Sequence, residues 1–268
     1  MTPEPPASAP TPRSKRIRFG WVLEIIGVRA LMTLYDWARD RLIGSESEAF
    51  EHARQVVRAE RALGIYHEET IQEWFLPYRW FIGFWNVFYG SVHFVMPIVV
   101  LVWLYIKTPT RYLRWRNTMF VMLALGLVGF WLYPLMPPRL LPESYGFVDT
   151  RLDYFGIGEA SRTPADDNLY AAMPSLHIGL ATWVTLALWP LVRSWWGRAL
   201  LVAYPSAQLF GTVVTGNHFF LDAVGGWATL ALGWLLAGAP EAWRGRRAAR
   251  TSPPSPSVVD PARPEGAA

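Results

Sequence analysis

The 268-residue chain contains no cysteine, which excludes disulfides and thiolate metal sites. Charge is also scarce. Asp, Glu, Lys and Arg make up 17% of the residues against 52% hydrophobic ones, far from the balance of a soluble globular domain. The scarcity is uneven: residues 80–106, 117–138, 168–192 and 199–221 hold none of the four charged types. Each of these stretches supplies the roughly 20 apolar residues that cross a bilayer. A fifth uncharged run, 223–240, follows Asp222 directly, so its span is expected to start near His218 and to include that carboxylate. Residues 19–38 carry Glu24, Arg29 and Asp36 and form a sixth candidate, which either spans or lies in the interface. No small-residue cleavage site closes a clean apolar run near the N-terminus, so no removable signal peptide is expected.

The fold class expected is therefore all-α: a polytopic membrane protein with a six-transmembrane-helix bundle over residues 19–240. Residues 38–79 combine a helical pattern with many glutamates and arginines and read as an amphipathic interfacial segment. Residues 1–18 and 241–268 are Pro-, Ala- and Ser-rich without apolar periodicity and are expected to be disordered tails.

Positive charge sets the orientation, because Lys and Arg in short loops stay in the cytoplasm. Arg13, Lys15, Arg16 and Arg18 precede the first span, and Lys107, Arg111, Arg114 and Arg116 separate the second from the third. Arg193 and Arg198 lie between the fourth and fifth, and Arg244, Arg246, Arg247 and Arg250 follow the last. Six spans put all four clusters on the cytoplasmic side; the arginines within 39–79 are the exception. Loops facing anionic lipid account for the net charge of +4, so nucleic-acid binding is not expected.

This topology brings three polar motifs to the outer face. In "HFFLD" (residues 218–222), His218 and Asp222 are four apart and share a helix face, so the carboxylate can orient one imidazole nitrogen and leave the other free to attack. In "PSLH" (residues 174–177), Pro174 suits a first helical turn. The backbone N–H groups around Ser175, Leu176 and His177 then form an anion site aided by the helix dipole. Arg139, after Pro137 and Pro138, offers a planar fork for phosphate oxygens. Other readings stay open: zinc held by His177, His218 and Asp222, an Arg139 that only snorkels, and Ser175 as a plain N-cap. His93, mid-span, reads as a helix-packing residue, and His52 and His67 read as surface groups.

"PPRLL" (residues 137–141), "PSLH" and "HFFLD", in this order and on alternate spans, resemble the type 2 phosphatidic acid phosphatase superfamily over residues 79–240. The resemblance implies that His218 attacks phosphorus to form a phosphohistidine, that Asp222 orients it and that His177 protonates the leaving oxygen. Ser175, Leu176 and Arg139 hold the phosphate, with no metal and no cofactor. Three departures stand out: Leu132 and Leu140 occupy the lysine and proline positions of the family's first signature, Leu176 replaces a glycine in the second, and Gly211 and Thr212 replace Ser-Arg in the third. These are similar to the inositol phosphorylceramide synthase branch, which transfers a phosphoryl head group to an alcohol.

The expectation is an integral membrane enzyme acting on a lipid phosphate ester or diphosphate, with its active site on the extracytoplasmic side of the cell membrane. Its partners are the lipid phosphate substrate, membrane lipids and an alcohol acceptor if water is not the acceptor, with residues 140–167 as lid and acceptor site. The alternative of another class is a six-helix transporter with a His and Asp proton relay, disfavoured because transport sites lie near the midplane.

Overall fold

A computed structural model describes residues 17–39, 41–42, 44–150 and 168–251. Among these residues eight α-helices follow one another: α1 (Ile17–Arg39), α2 (Glu46–Leu63), α3 (Glu68–Phe75), α4 (Arg79–Lys107), α5 (Pro109–Leu132), α6 (Leu176–Leu188), α7 (Trp195–Val214) and α8 (Phe220–Thr251). No strand occurs among them; Leu135 and Ala171 form one isolated bridge. The expected tails, apart from the ends of α1 and α8, and residues 151–167 of the expected lid lie outside the described residues.

The all-helical expectation holds, and a helix stands at each of the six expected places. Three helical stretches, Arg79–Lys107, Pro109–Leu132 and Phe220–Gly238, are long and apolar enough to cross a membrane. α6 is apolar but has 13 residues. Large apolar side chains on the outside of the bundle, including Trp80, Val99, Leu132, Leu200 and Leu235, form the kind of surface that hydrocarbon covers.

Prolines explain where the helices depart from the expected spans. The expected span at 168–192 becomes helical only at Leu176, because Pro174 stands before the N-cap position Ser175 and not inside the first turn. The chain before it is tied down by Leu135 N–H donating to the Tyr170 carbonyl at 2.7 Å. The span expected at 117–138 ends at Leu132, ahead of Pro134, Pro137 and Pro138, each of which lacks the N–H that a helix interior needs. Its start is earlier than expected: Pro109 opens α5, so Arg111, Arg114 and Arg116 sit on the helix instead of in a loop.

The expected interfacial segment is two helices. Ser45 caps α2 by accepting the Glu48 N–H at 3.3 Å. Ala49, Ala53, Val56, Val57 and Glu60 form its buried stripe at the spacing of one helix face, and α2 packs on α8 while α3 packs on α7 and α4. His52 is not a surface group. It stacks on Tyr133 with ring centroids 3.9 Å apart, and its Nδ1 lies 2.8 Å from the Pro134 carbonyl oxygen.

The long helices place charge at one end of the bundle. Glu24 of α1 pairs with Arg116 and accepts the Tyr112 hydroxyl hydrogen bond near the start of α5, and Arg114 donates to the Trp234 carbonyl of α8 at 2.5 Å. Arg139, after the other end of α5, and the first turns of α6 and α8 lie at the opposite end. Between them α6 is locked to its neighbours: Trp183 donates to the Trp115 carbonyl at 3.0 Å, and Thr185 to the Leu201 carbonyl at 2.7 Å.

α6 and α8 approach so closely that Gly226 is required. A Cβ there would lie 2.3 Å from the Ser175 carbonyl oxygen and 3.2 Å from the Gly179 nitrogen. Gly226→Ala is therefore expected to cost roughly 1–3 kcal/mol of stability as an overpacking change and to weaken activity by separating the motifs on the two helices. Thermal melting beside a turnover assay checks this. Gly27→Ala, where nothing lies within 4 Å of the added carbon, serves as the control without a clash, expected to lose no stability.

Candidate active site

The first turn of α8 is where the site's parts meet. Its leading N–H groups have no intrahelical acceptor, and acidic side chains take them. Asp222 Oδ2 accepts Phe219 N–H at 3.0 Å, Glu68 Oε1 accepts Phe220 N–H at 3.0 Å and Glu60 Oε1 accepts Leu221 N–H at 2.7 Å. The Asp222 main-chain carbonyl in turn accepts Ser175 N–H at 2.9 Å, which joins the start of α6 to the start of α8.

On this platform the expected His218 and Asp222 pair is formed. His218 Nδ1 lies 3.0 Å from Asp222 Oδ2, and the two residues are 3% and 0% exposed. An ionised Asp222 requires the hydrogen to be on Nδ1, which leaves the Nε2 lone pair of His218 on the side of His177. His218 Nε2 lies 3.2 Å from His177 Nδ1, so the histidines of the second and third motifs address one point. His177 is stacked on Tyr89, with ring centroids 4.3 Å apart, and meets the tilted ring of His93, with centroids 4.0 Å apart. His93 does pack between helices, as the sequence suggests, but it packs on the site itself.

Arg139 is brought to the same place by the loop before α8. Gly216 adopts φ +68°, a left-handed conformation open to glycine. Its carbonyl accepts Arg139 N–H at 2.8 Å. A Cβ on Gly216 would lie 2.9 Å from Gln72 Nε2 and 3.3 Å from Arg139 Cβ. Arg139 is 9% exposed; its Nε donates to Asn217 Oδ1 at 2.9 Å and its Nη1 to Asp149 Oδ2 at 2.9 Å. Buried and held on two sides, Arg139 is not a snorkelling residue. Gln72 fixes the Asp149 loop from below, accepting Val148 N–H at 2.9 Å and donating to its carbonyl at 3.1 Å.

Ser175 occupies the N-cap position of α6, yet its hydroxyl makes no cap bond. Its Oγ is buried and without a protein partner, an unusual state for a buried polar atom. Ser175 N–H is taken by Asp222, so an anion here would meet the Leu176 and His177 N–H groups of the first helical turn and the Ser175 hydroxyl, not the Ser175 N–H. The Leu176 side chain points away and packs against Gly126. Among the described residues no group of three or more His, Cys, Asp or Glu is placed to hold a metal ion.

His177, His218, Arg139 and Asn217 line one end of a chamber of about 1280 Å³. Its walls are mostly apolar, contributed by α1 (Val28, Met32), α4 (Phe94, Ile98) and α5 (Met119, Leu123). The stagger of the helices puts the site beside Tyr89 and His93, midway along the 29-residue α4, although it stands at the ends of α6 and α8. The span-end argument against a transporter therefore loses force.

Sequence reasoning did not find Tyr89, Asn217, Asp149, Gln72, Glu60 or Glu68. Asn217 had a signal, since it stands in the "GNHFFLD" stretch beside His218. Glu60 had another, an acid on the apolar stripe of an amphipathic helix. The rest come from distant segments that only the fold unites.

Comparison with known proteins gives one family match: the model described as the PAP2 superfamily matches residues 54–236. No curated protein and no solved structure matches the chain.

Proposed function

The chain belongs to the PAP2 superfamily, which supports a phosphatase or phosphotransferase function, and from that premise we propose that it is an integral membrane enzyme hydrolysing a lipid-linked phosphate ester or diphosphate through a phosphohistidine. The observation that carries this reading is the line Asp222, His218, His177, at 3.0 and 3.2 Å, opening on an apolar chamber. His218 Nε2 attacks phosphorus, and Asp222 stabilises the imidazolium that forms on it. A phosphorus held about 3–3.5 Å from Nε2 keeps its leaving oxygen within reach of His177, the general acid. The proton that His177 gives to the leaving group is recovered from the water that hydrolyses the phosphohistidine. Arg139, the Ser175 hydroxyl and the Leu176 N–H hold the phosphoryl oxygens, and the chamber takes the lipid chain. No step calls on a metal or cofactor.

The six helices α1, α4, α5, α6, α7 and α8 make up the proposed bundle, with α2 and α3 lying over its site end. The basic residues at the opposite end support a cytoplasmic placement for that end and an extracytoplasmic one for the site. A second reading is transfer to an alcohol, as in the inositol phosphorylceramide synthase branch. It is favoured by Gly211 and Thr212 where the third signature has Ser-Arg, and by a chamber large enough to seat more than one chain.

Purified protein incubated with labelled lipid phosphates and diphosphates in chelator, with and without alcohols, tests both. Free phosphate released in chelator and suppressed by vanadate, a mimic of five-coordinate phosphorus, is the expected result. Label moving to an added alcohol in preference to water would select the second reading. Activity lost to chelator and restored only by zinc would overturn both in favour of a metal mechanism.

A further inference from the structure

Two acids outside the sequence motifs are buried against the nucleophile's helix. Glu60, on the last turns of α2, and Glu68, on the first turn of α3, are both 0% exposed. Each spends one oxygen on α8, Glu60 on Leu221 N–H and Glu68 on Phe220 N–H. Glu68 Oε2 accepts His67 N–H at 3.0 Å, whereas Glu60 Oε2 has no donor. Their Oε1 atoms hold consecutive N–H groups of one helical turn, which sets two buried carboxyl groups side by side. Like charges that close in a buried site do not both ionise, so one of the two carboxyls keeps its proton.

We propose that Glu60 and Glu68 are positioning residues: a single shared proton holds them together as a clasp on the first turn of α8, and losing it releases the pose of His218 and Asp222 and lowers turnover at alkaline pH. The inference rests on the reading of His218 as nucleophile. Phe220 and Leu221 sit between His218 and Asp222 in sequence, so the N–H groups the acids hold are those of the turn that sets the 3.0 Å His218 to Asp222 bond. The helix dipole favours negative charge at this end, but Asp222 already supplies one charge there. Among the described residues no ion pair reaches Glu60 or Glu68. The other titratable or charged groups facing the pair are Asp222, with His218 bonded to it, and Tyr66 of the α2 to α3 turn, itself beside Arg61 of α2 and Glu69 of α3.

Burial pushes the Glu60 carboxyl up to about 9, helped by the neighbouring Glu68 carboxyl and by the charge of Asp222, and opposed by the Leu221 N–H. The sign follows from linkage. A carboxyl raised in the folded state binds a proton that the unfolded chain has already released above the ordinary carboxylate range. Its contribution is fully present below that range and declines as pH rises, and the clasp itself opens as pH passes about 9. Alkali, not acid, is the switching direction. Tyr66, raised to about 12, stays neutral through this interval.

The test compares the purified full chain with Glu60→Gln and Glu60→Ala from pH 7 to 10, reading lipid phosphate turnover and hydrogen exchange at residues 219–222, corrected for intrinsic rates. In wild type, protection of this turn and kcat are expected to fall together near pH 9, reversibly and with little change in KM. The amide of Glu60→Gln cannot ionise, still accepts Leu221 N–H and can donate to Glu68, so this variant is expected to turn over at neutral pH and to keep both protection and activity past pH 9. Glu60→Ala leaves Leu221 N–H without its partner and is expected to lose up to about 100-fold in kcat at neutral pH through misplacement of His218. An alkaline fall that is unchanged in Glu60→Gln, or protection in wild type that is indifferent to pH, overturns the clasp. Protection that follows the Glu60 proton while the protein shows no phosphoryl transfer supports the clasp and overturns the nucleophile reading instead.

Discussion

His218→Ala is expected to lower kcat by at least about 10⁴-fold, because removing the nucleophile of a covalent mechanism leaves only binding and electrostatic stabilisation. The fold should survive. His218 is a connector between α7 and α8, and the first turn of α8 keeps its acceptors in Glu60, Glu68 and Asp222. Asp222→Asn tests the same line from its far end. An amide can present its NH2 group to Nδ1 and stabilise the wrong tautomer, so a loss approaching about 10⁴-fold is expected with little change in KM. Single-turnover rates beside melting curves separate catalysis from folding. Turnover of the folded His218→Ala protein at the wild-type rate would end the phosphohistidine account.

Arg139→Lys is the second large effect. The substitution keeps a positive charge in a site where Asp149 and Asn217 both expect one, so the loop is expected to stay folded. What it removes is the planar fork, which engages Asn217 and Asp149 through Nε and Nη1 at 2.9 Å each and whose geometry matches phosphate oxygens. Lysine can serve these partners or the phosphate, but not all of them. A fall of about 10²–10³-fold in kcat/KM is expected, the scale for losing a preorganised donor to a developing oxyanion. Steady-state kinetics on lipid phosphate in mixed micelles measures it, and a folded variant with wild-type kcat/KM would remove Arg139 from the phosphate site.

The residues legible in the sequence are those whose relation is local. His218 and Asp222 are one helical turn apart, and "PSLH" marks a helix start, so spacing alone announces their chemistry. That Arg139, His177 and His218 share one end of the bundle was legible from the order of uncharged spans and basic clusters. The clasp was not legible, because Glu60 and Leu221 are 161 positions apart. The acid on the apolar stripe of α2 could be seen in the sequence, but nothing there says which helix it faces. Helix limits failed where proline chemistry competes with apolar content: 168–175 and 133–138 are uncharged, yet Pro174, Pro134, Pro137 and Pro138 keep them out of the helices. The depth of the site was hidden for a related reason. Helix ends can be read from sequence, but the stagger that sets the ends of α6 and α8 against the middle of α4 is a property of packing.

The claim on which the rest depends is that phosphorus becomes bonded to His218. Mixing the enzyme with lipid carrying a radiolabelled phosphoryl group, quenching in alkali within one turnover and mapping the labelled peptide tests it directly. The account predicts an acid-labile, base-stable label on His218, absent from His218→Ala and longer-lived in a variant that slows the second half-reaction. Full turnover with no label on the protein at any quench time, or label carried by Ser175, would contradict it.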